Sequence, residues 1–221
     1  MNNPSSPGKG AILSAIVAGC IVSFIGFGFA ASFGIFLQPM SSDLQWPREV
    51  FSLSIAIQAL CWGFAQPLAG MVADRYGAAR VLAFGAVTSA LGFFIRGDVT
   101  DPAIFVISGV IVGIGTGACS FPVVIIALGK IVSARQRSLV MGLGTAAAST
   151  GMLVAAPMSQ LLLQAGGWQF AINVMAGGFL LILPFLVFIG RVSRPSIDRN
   201  HTGGIVPAIL VAFSDRSFVL L

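Results

Sequence analysis

The side chains able to do covalent chemistry are few and poorly placed for it. The chain has one histidine, His201, in a polar stretch far from any serine–carboxylate partnership within an apolar run. Its three cysteines, Cys20, Cys61 and Cys119, lie inside apolar runs with no Cys-x-x-Cys pair. They read as small apolar side chains and not as a disulfide framework or a metal set. Gly113-Ile-Gly115-Thr-Gly117 and Gly142-Leu-Gly144-Thr approach the dinucleotide fingerprint. Neither stands in the strand–helix–strand unit that fingerprint requires. Gly109 and Gly113 instead place small residues on one helix face, the pattern of close helix packing. The sequence thus argues against an enzyme and calls for no cofactor or metal. The polar chemistry left in the apolar runs is neutral: Ser32, Gln58, Thr116, Ser120, Thr145 and Ser149. Gln58, near the middle of its run, is the first candidate to touch a solute, with an interhelical tie as the alternative. For the hydroxyls the competing reading is a bond to the backbone of their own helix.

The elements that must position these groups follow from the balance of apolar and charged residues. Of 221 residues, 57% are apolar, only 9% are charged, and the mean hydropathy is +0.97. A soluble domain carries charge on roughly a quarter of its residues. Six membrane helices need about 20 apolar residues each, and the composition fits that number. Charge is costly in hydrocarbon, so the charge-free runs mark the spans. They predict helices over 11–37, 50–72, 79–96, 102–127, 138–163 and 168–190. The last two share one long charge-free run, broken at Gly166-Gly167-Trp168 by turn residues and an interfacial tryptophan. The first run is too long for the core of a signal peptide. Pro157 and Pro184 are expected kinks, and Asn173 a packing contact.

With the amino terminus inside, ten of the twelve basic residues fall on the cytoplasmic side, and only Arg48 and Arg96 fall outside. This is a strong positive-inside asymmetry, with both termini cytoplasmic. Arg80 and Arg96, at the two ends of the third span, are expected to snorkel outward, leaving no ionisable group deep in any helix. The pI near 9.9 does not indicate a nucleic-acid partner, because the basic residues are dispersed among short loops. Residues 1–10 read as a cytoplasmic tail, 11–190 as the transmembrane domain and 191–213 as a cytoplasmic linker. Residues 214–221 read as the start of a truncated seventh helix, so that the chain is expected to be the front half of a longer protein.

The loop between the second and third spans reads Gly70-Met-Val-Ala-Asp74-Arg75-Tyr-Gly77-Ala-Ala-Arg80. Gly77 permits a tight reversal, Asp74 can serve a helix amino terminus, and the arginines anchor the membrane face. This loop resembles the signature loop of the major facilitator superfamily. Ser32-Phe-Gly-Ile-Phe-Leu-Gln-Pro39, Asp43-Leu-Gln-Trp46-Pro-Arg48, Ala134-Arg-Gln-Arg-Ser-Leu-Val-Met-Gly142 and Thr150-Gly-Met-Leu-Val-Ala-Ala-Pro157 are similar to its oxalate/formate and monocarboxylate branch. There are departures: Gln169 follows Gly167-Trp168 where that branch often has arginine, and Ala78 and Ala79 replace basic residues. The fourth span also lacks the arginine of many proton-coupled relatives, and the first has no lysine.

The resemblance implies an all-α membrane protein, six helices forming the N-terminal half of a twelve-helix fold, built as three-plus-three inverted repeats. A faint likeness of Gly26-Phe-Gly28…Ser32-Phe33 to Gly113-Ile-Gly115…Ser120-Phe121 agrees with such a repeat. It implies a secondary transporter of small organic anions working by alternating access, with a proton or an exchanged anion as co-substrate. The cavity is lined by the first, second, fourth and fifth spans. Gly70, Asp74, Arg75, Gly77 and Arg80 form its gating loop, with Asp74 closing against the second half. That half would also supply the cationic ligand for an anion. The expected partners are the lipid bilayer, a bacterial inner membrane, and either a C-terminal half or a second copy of the chain acting as a homodimer; the remaining alternative is a non-transporting remnant.

Overall fold

A computed structural model describes residues 8–129, 132 and 134–192, and every regular element among them is a helix. The first run forms α1 (Lys9–Ser32), a tight 3-10 turn (Phe33–Phe36) and α2 (Leu37–Leu44). The helix therefore continues past the expected end at 37. The 3-10 turn precedes Pro39, which has no N–H to give and disfavours an unbroken α-helical ladder. A left-handed Gln45 (φ 55°) ends the segment. Next come α3 (Arg48–Tyr76) and α4 (Ala78–Gly97), joined through Gly77 alone. Gly77 has φ 95°, a backbone open to glycine and strained for other residues.

Asp101 begins α5 (Pro102–Ala118) by accepting a hydrogen bond from the Ala103 N–H at 2.7 Å, with Pro102 in the first turn. The expected straight helix to 127 is broken at Cys119–Ser120, and α6 (Phe121–Gly129) follows. The reason is Pro122, which deprives the ladder of a donor one turn beyond Ala118. The last run forms α7 (Ala134–Leu180) and α8 (Ile182–Val192), separated just before Pro184 as that proline predicts. Pro157 lies within α7. Two helices meet inside α7 at Gly167 (φ 79°). The chain turns back there: Ser159 meets Ser32, Trp168 meets Asp43, and Phe179 returns to Phe29.

Among the described residues, five stretches are long and apolar enough to cross a membrane, the last of them Gln136–Arg191. The linker beyond 192, the seventh-helix start, Lys130 and His201 lie outside the described residues.

Small residues set the helix spacing, as the glycine pattern predicts. A Cβ on Gly109 would come within 2.7 Å of the Ser54 carbonyl oxygen, and one on Gly113 within 2.7 Å of the Cys61 Cβ. One on Gly117 would come within 2.6 Å of the Ala65 Cβ. The Gly109–Gly113–Gly117 face of α5 is thus pressed on α3. On its other side α5 meets α4, where Gly85 lies under the Gly115 carbonyl. Gly28 of α1 and Gly151 of α7 touch in the same way. Aromatic edges fill the Asp98 end of the bundle: Phe33, Phe51, Phe93 and Phe105 are buried and in mutual contact.

Gly151 abuts the Phe24 backbone, whereas Gly142 faces open space. Gly151→Ala should lower stability by about 1–3 kcal/mol, and Gly142→Ala should be near neutral. Thermal melts in native-lipid discs, monitored by tryptophan fluorescence, would separate the two.

Candidate functional site

The side chain that organises the interior is Arg96, and it is not where the sequence analysis places it. It stands one residue before the end of α4 and is fully buried. Instead of snorkelling outward it reaches inward to the junction of three neighbouring helical segments. Its Nε donates to the Ser108 hydroxyl of α5 at 3.0 Å. Its Nη1 donates to the Gln58 amide oxygen of α3 at 2.8 Å. Its Nη2 donates to the Ser54 hydroxyl of α3 at 3.1 Å. The guanidinium lies over the Phe33 ring at 4.3 Å and near the Phe105 ring at 5.4 Å, both cation–π distances. The expectation that no ionisable group lies within the helices is therefore wrong.

The inward path has a local cause. Gly109 has no side chain, and a Cβ there would sit 3.4 Å from Nη2. The tighter limit is on Ser54, whose carbonyl oxygen and hydroxyl would lie 2.7 and 3.0 Å from that Cβ, so the missing methyl lets α3 bring Ser54 up to the guanidinium. Ser54 and Ser108 both donate onward to the Phe105 carbonyl, at 3.1 and 2.6 Å. That orients their oxygen lone pairs towards the arginine. Every acceptor recorded for Arg96 is neutral: two hydroxyls and an amide. A buried cation without a carboxylate is costly, and such groups inside membranes usually mark function.

The other predicted polar residues divide. Gln58 belongs to the Arg96 cluster and is its half-buried member. Its site lies about 15 Å along α3 from Arg48, close to half the thickness of a bilayer core. Ser32 donates to the Phe29 carbonyl and accepts from Ser159 of α7. Thr116 bonds back to the Val112 carbonyl at 2.7 Å, and exposed Thr145 to the Met141 carbonyl at 3.0 Å. Ser149 is exposed, one turn from Thr145. Ser120 is buried at the α5–α6 break, and its hydroxyl has no partner among the described residues. The half-buried Asn173 packs against Gly97, as a packing contact should. These hydroxyls do not converge on Gln58.

The charged turn forms a separate cluster at the opposite end of α3 and α4. Gly70 is half-buried, Asp74 is exposed, and Arg75 stacks over the Tyr76 ring at 5.5 Å. Arg80 caps the end of α3 by donating to the Tyr76 carbonyl at 3.4 Å. Beside it runs an open apolar groove of about 530 Å³ lined by Phe64, Leu68, Val72 and Phe84 among others.

This arrangement, glycine-welded helices with the charged Gly–Asp-Arg–Gly reversal, matches known proteins over nearly its full extent. The sequence profile of the Major Facilitator Superfamily matches residues 18–221. The chain belongs to that superfamily. It is 26% identical to monocarboxylate transporter 4 of Rattus norvegicus, over 93% of this chain and 45% of the relative. It is 25% identical to human monocarboxylate transporter 12, over 90% of this chain and 38% of the relative. An uncharacterised MFS-type transporter of Bacillus subtilis, YcxA, is 27% identical over 72% of this chain and 40% of its own length. A crystal structure of a POT peptide transporter in complex with alafosfalin superposes with a TM-score of 0.69 at 17% identity, covering 94% of this chain and 48% of the other. The chain thus spans about half the length of the relatives it matches. It is a multi-pass membrane protein of a transporter family.

The inward turn of Arg96 is not legible in the sequence, because an arginine at a span end ordinarily points to water. The available signal was Ser54 and Gln58, four apart on one face of α3 and level with Arg96. Ser54→Ala removes the acceptor of Nη2 and the donor to the Phe105 carbonyl together. It should cost about 1–3 kcal/mol, while the exposed control Ser14→Ala should stay within about 0.5 kcal/mol. Thermal melts of the two variants check this.

Proposed function

We propose that the protein to which this chain contributes is a secondary transporter of small organic anions, monocarboxylates or oxalate-like acids, working by alternating access. The observation that carries this reading is the buried Arg96, which has no carboxylate partner among the described residues. It gives the interior of a transporter-family bundle a net positive site, which favours an anion over a cation or a neutral solute. The monocarboxylate transporters among the relatives support the same substrate class. In this reading the half described here supplies a cation of its own, in addition to any from the second half.

A complementary six-helix unit, a C-terminal half or a second copy, would pack on the outward faces of α3 and α7. There Phe64 and Leu153 are 74% and 75% exposed. Asp74 would close the cytoplasmic side against that unit, and a proton or an exchanged anion would drive transport. The membrane is a bacterial inner membrane in this proposal.

Native membranes containing the gene product should take up labelled lactate or oxalate, with competition by formate and none by glucose. Asp74→Asn should lower the rate by about tenfold, and the 221-residue chain reconstituted by itself should give no uptake. Equal uptake with neutral competitors, or robust uptake by the lone chain, would contradict the proposal.

A further inference from the structure

We infer that the Arg96 guanidinium is a binding group for the transported carboxylate, and that the Gln58 amide oxygen stands in the position an incoming carboxylate oxygen takes. This inference rests on the anion-transport reading above and assigns the site within it.

The hydrogen-bond inventory singles out Gln58. Each of the three guanidinium nitrogens donates once, which leaves the second hydrogens of both Nη atoms without an acceptor among the described residues. Two of the three acceptors are pinned. Ser54 and Ser108 are fully buried, and each hydroxyl is committed onward to the Phe105 carbonyl. Gln58 is held by no such second bond among the described residues, and it is the one polar member of the cluster that is not buried. It can therefore leave while the serines keep the guanidinium in place.

The geometry that remains suits a carboxylate. The Phe33 ring lies over the guanidinium at 4.3 Å, so a ligand must approach through the in-plane N–H groups. That edge presents paired donors of the kind that grip a carboxylate with two parallel bonds. The amide oxygen of Gln58, at 2.8 Å from Nη1, already makes one bond of that type. A carboxylate would make it with a full charge, in surroundings where Phe33 and Phe105 keep the local dielectric low.

The location agrees. Arg96 belongs to α4, yet its head group lies among Phe33, Gln58 and Ser108, which come from the first, second and fourth membrane runs. A group that starts on one helix and finishes between three others can respond when those helices tilt during transport.

The test uses Gln58→Ala and Gln58→Glu introduced into the native gene, with labelled lactate and oxalate as probes. Gln58→Ala removes the competing amide and should lower KM about threefold with Vmax little changed. Gln58→Glu places a tethered carboxylate on Arg96 and should raise KM about tenfold while keeping or raising the melting temperature. A merely structural tie would predict the reverse for the first variant, with lost stability and no gain in affinity. Melting with and without lactate or oxalate gives a binding readout independent of transport. Either acid should stabilise the unaltered protein and Gln58→Ala, but not Gln58→Glu. If binding follows this pattern without uptake, the transport reading fails and the site assignment stands. A Gln58→Glu protein that melts below the unaltered one, or KM and ligand-induced melting shifts the same in all three proteins, overturns the assignment.

Discussion

A guanidinium held inside a membrane bundle, with no carboxylate beside it among the described residues, is the constraint around which one end of this structure is organised. Arg96 has to be hydrogen-bonded on every nitrogen and shielded on its face, because a desolvated charge without partners would be too costly to fold around. Ser54, Gln58 and Ser108 each take one N–H, one from each nitrogen, and Phe33 covers the face. Those partners can converge only if α3 and α5 approach closely. The absence of a side chain at Gly109 permits the approach, since a Cβ there would come within 2.7 Å of the Ser54 carbonyl oxygen. Packing and electrostatics at this junction are therefore one requirement. A larger residue at 109 would part the helices and draw Ser54 away from the cation.

The same economy operates along the rest of α5. Its glycines serve α3 on one side and α4 on the other, so this helix is gripped from two directions. Lipid cannot drive apolar helices together as water does, and close van der Waals contact takes over that task. Pairs such as Gly28–Gly151 and Gly85–Gly115 show where backbones nearly touch. The Asp98 end is tied further by Trp168, whose indole N–H donates to Asp43 at 2.8 Å across 125 positions of sequence. That bond fixes the point at which the long final run turns back.

Much of the fold is legible in the residues. Charge-free runs locate the helices, Gly77 and Gly167 mark the reversals, and the Gly109–Gly113 spacing identifies a packed face. What escapes is local or three-dimensional. The break at Cys119–Ser120 depends on one proline within a run that otherwise reads as a continuous helix. The direction of Arg96 depends on what neighbouring helices offer at its depth, which no single stretch of sequence displays. Gln58 is correctly singled out as the polar group of interest, but its meaning changes once its partner is known. The candidate hydroxyls at 116 and 145 bond to their own helices, as short polar side chains in spans commonly do.

The account turns on whether a carboxylate takes the place of the Gln58 amide on Arg96. The most direct measurement is a cryo-electron microscopy map of the gene product in lipid discs with saturating oxalate. The account predicts a carboxylate oxygen at the in-plane edge of Arg96, with the Gln58 side chain swung away and Ser54 and Ser108 unmoved. Oxalate bound elsewhere, with the 2.8 Å bond between Arg96 and Gln58 intact, would contradict it.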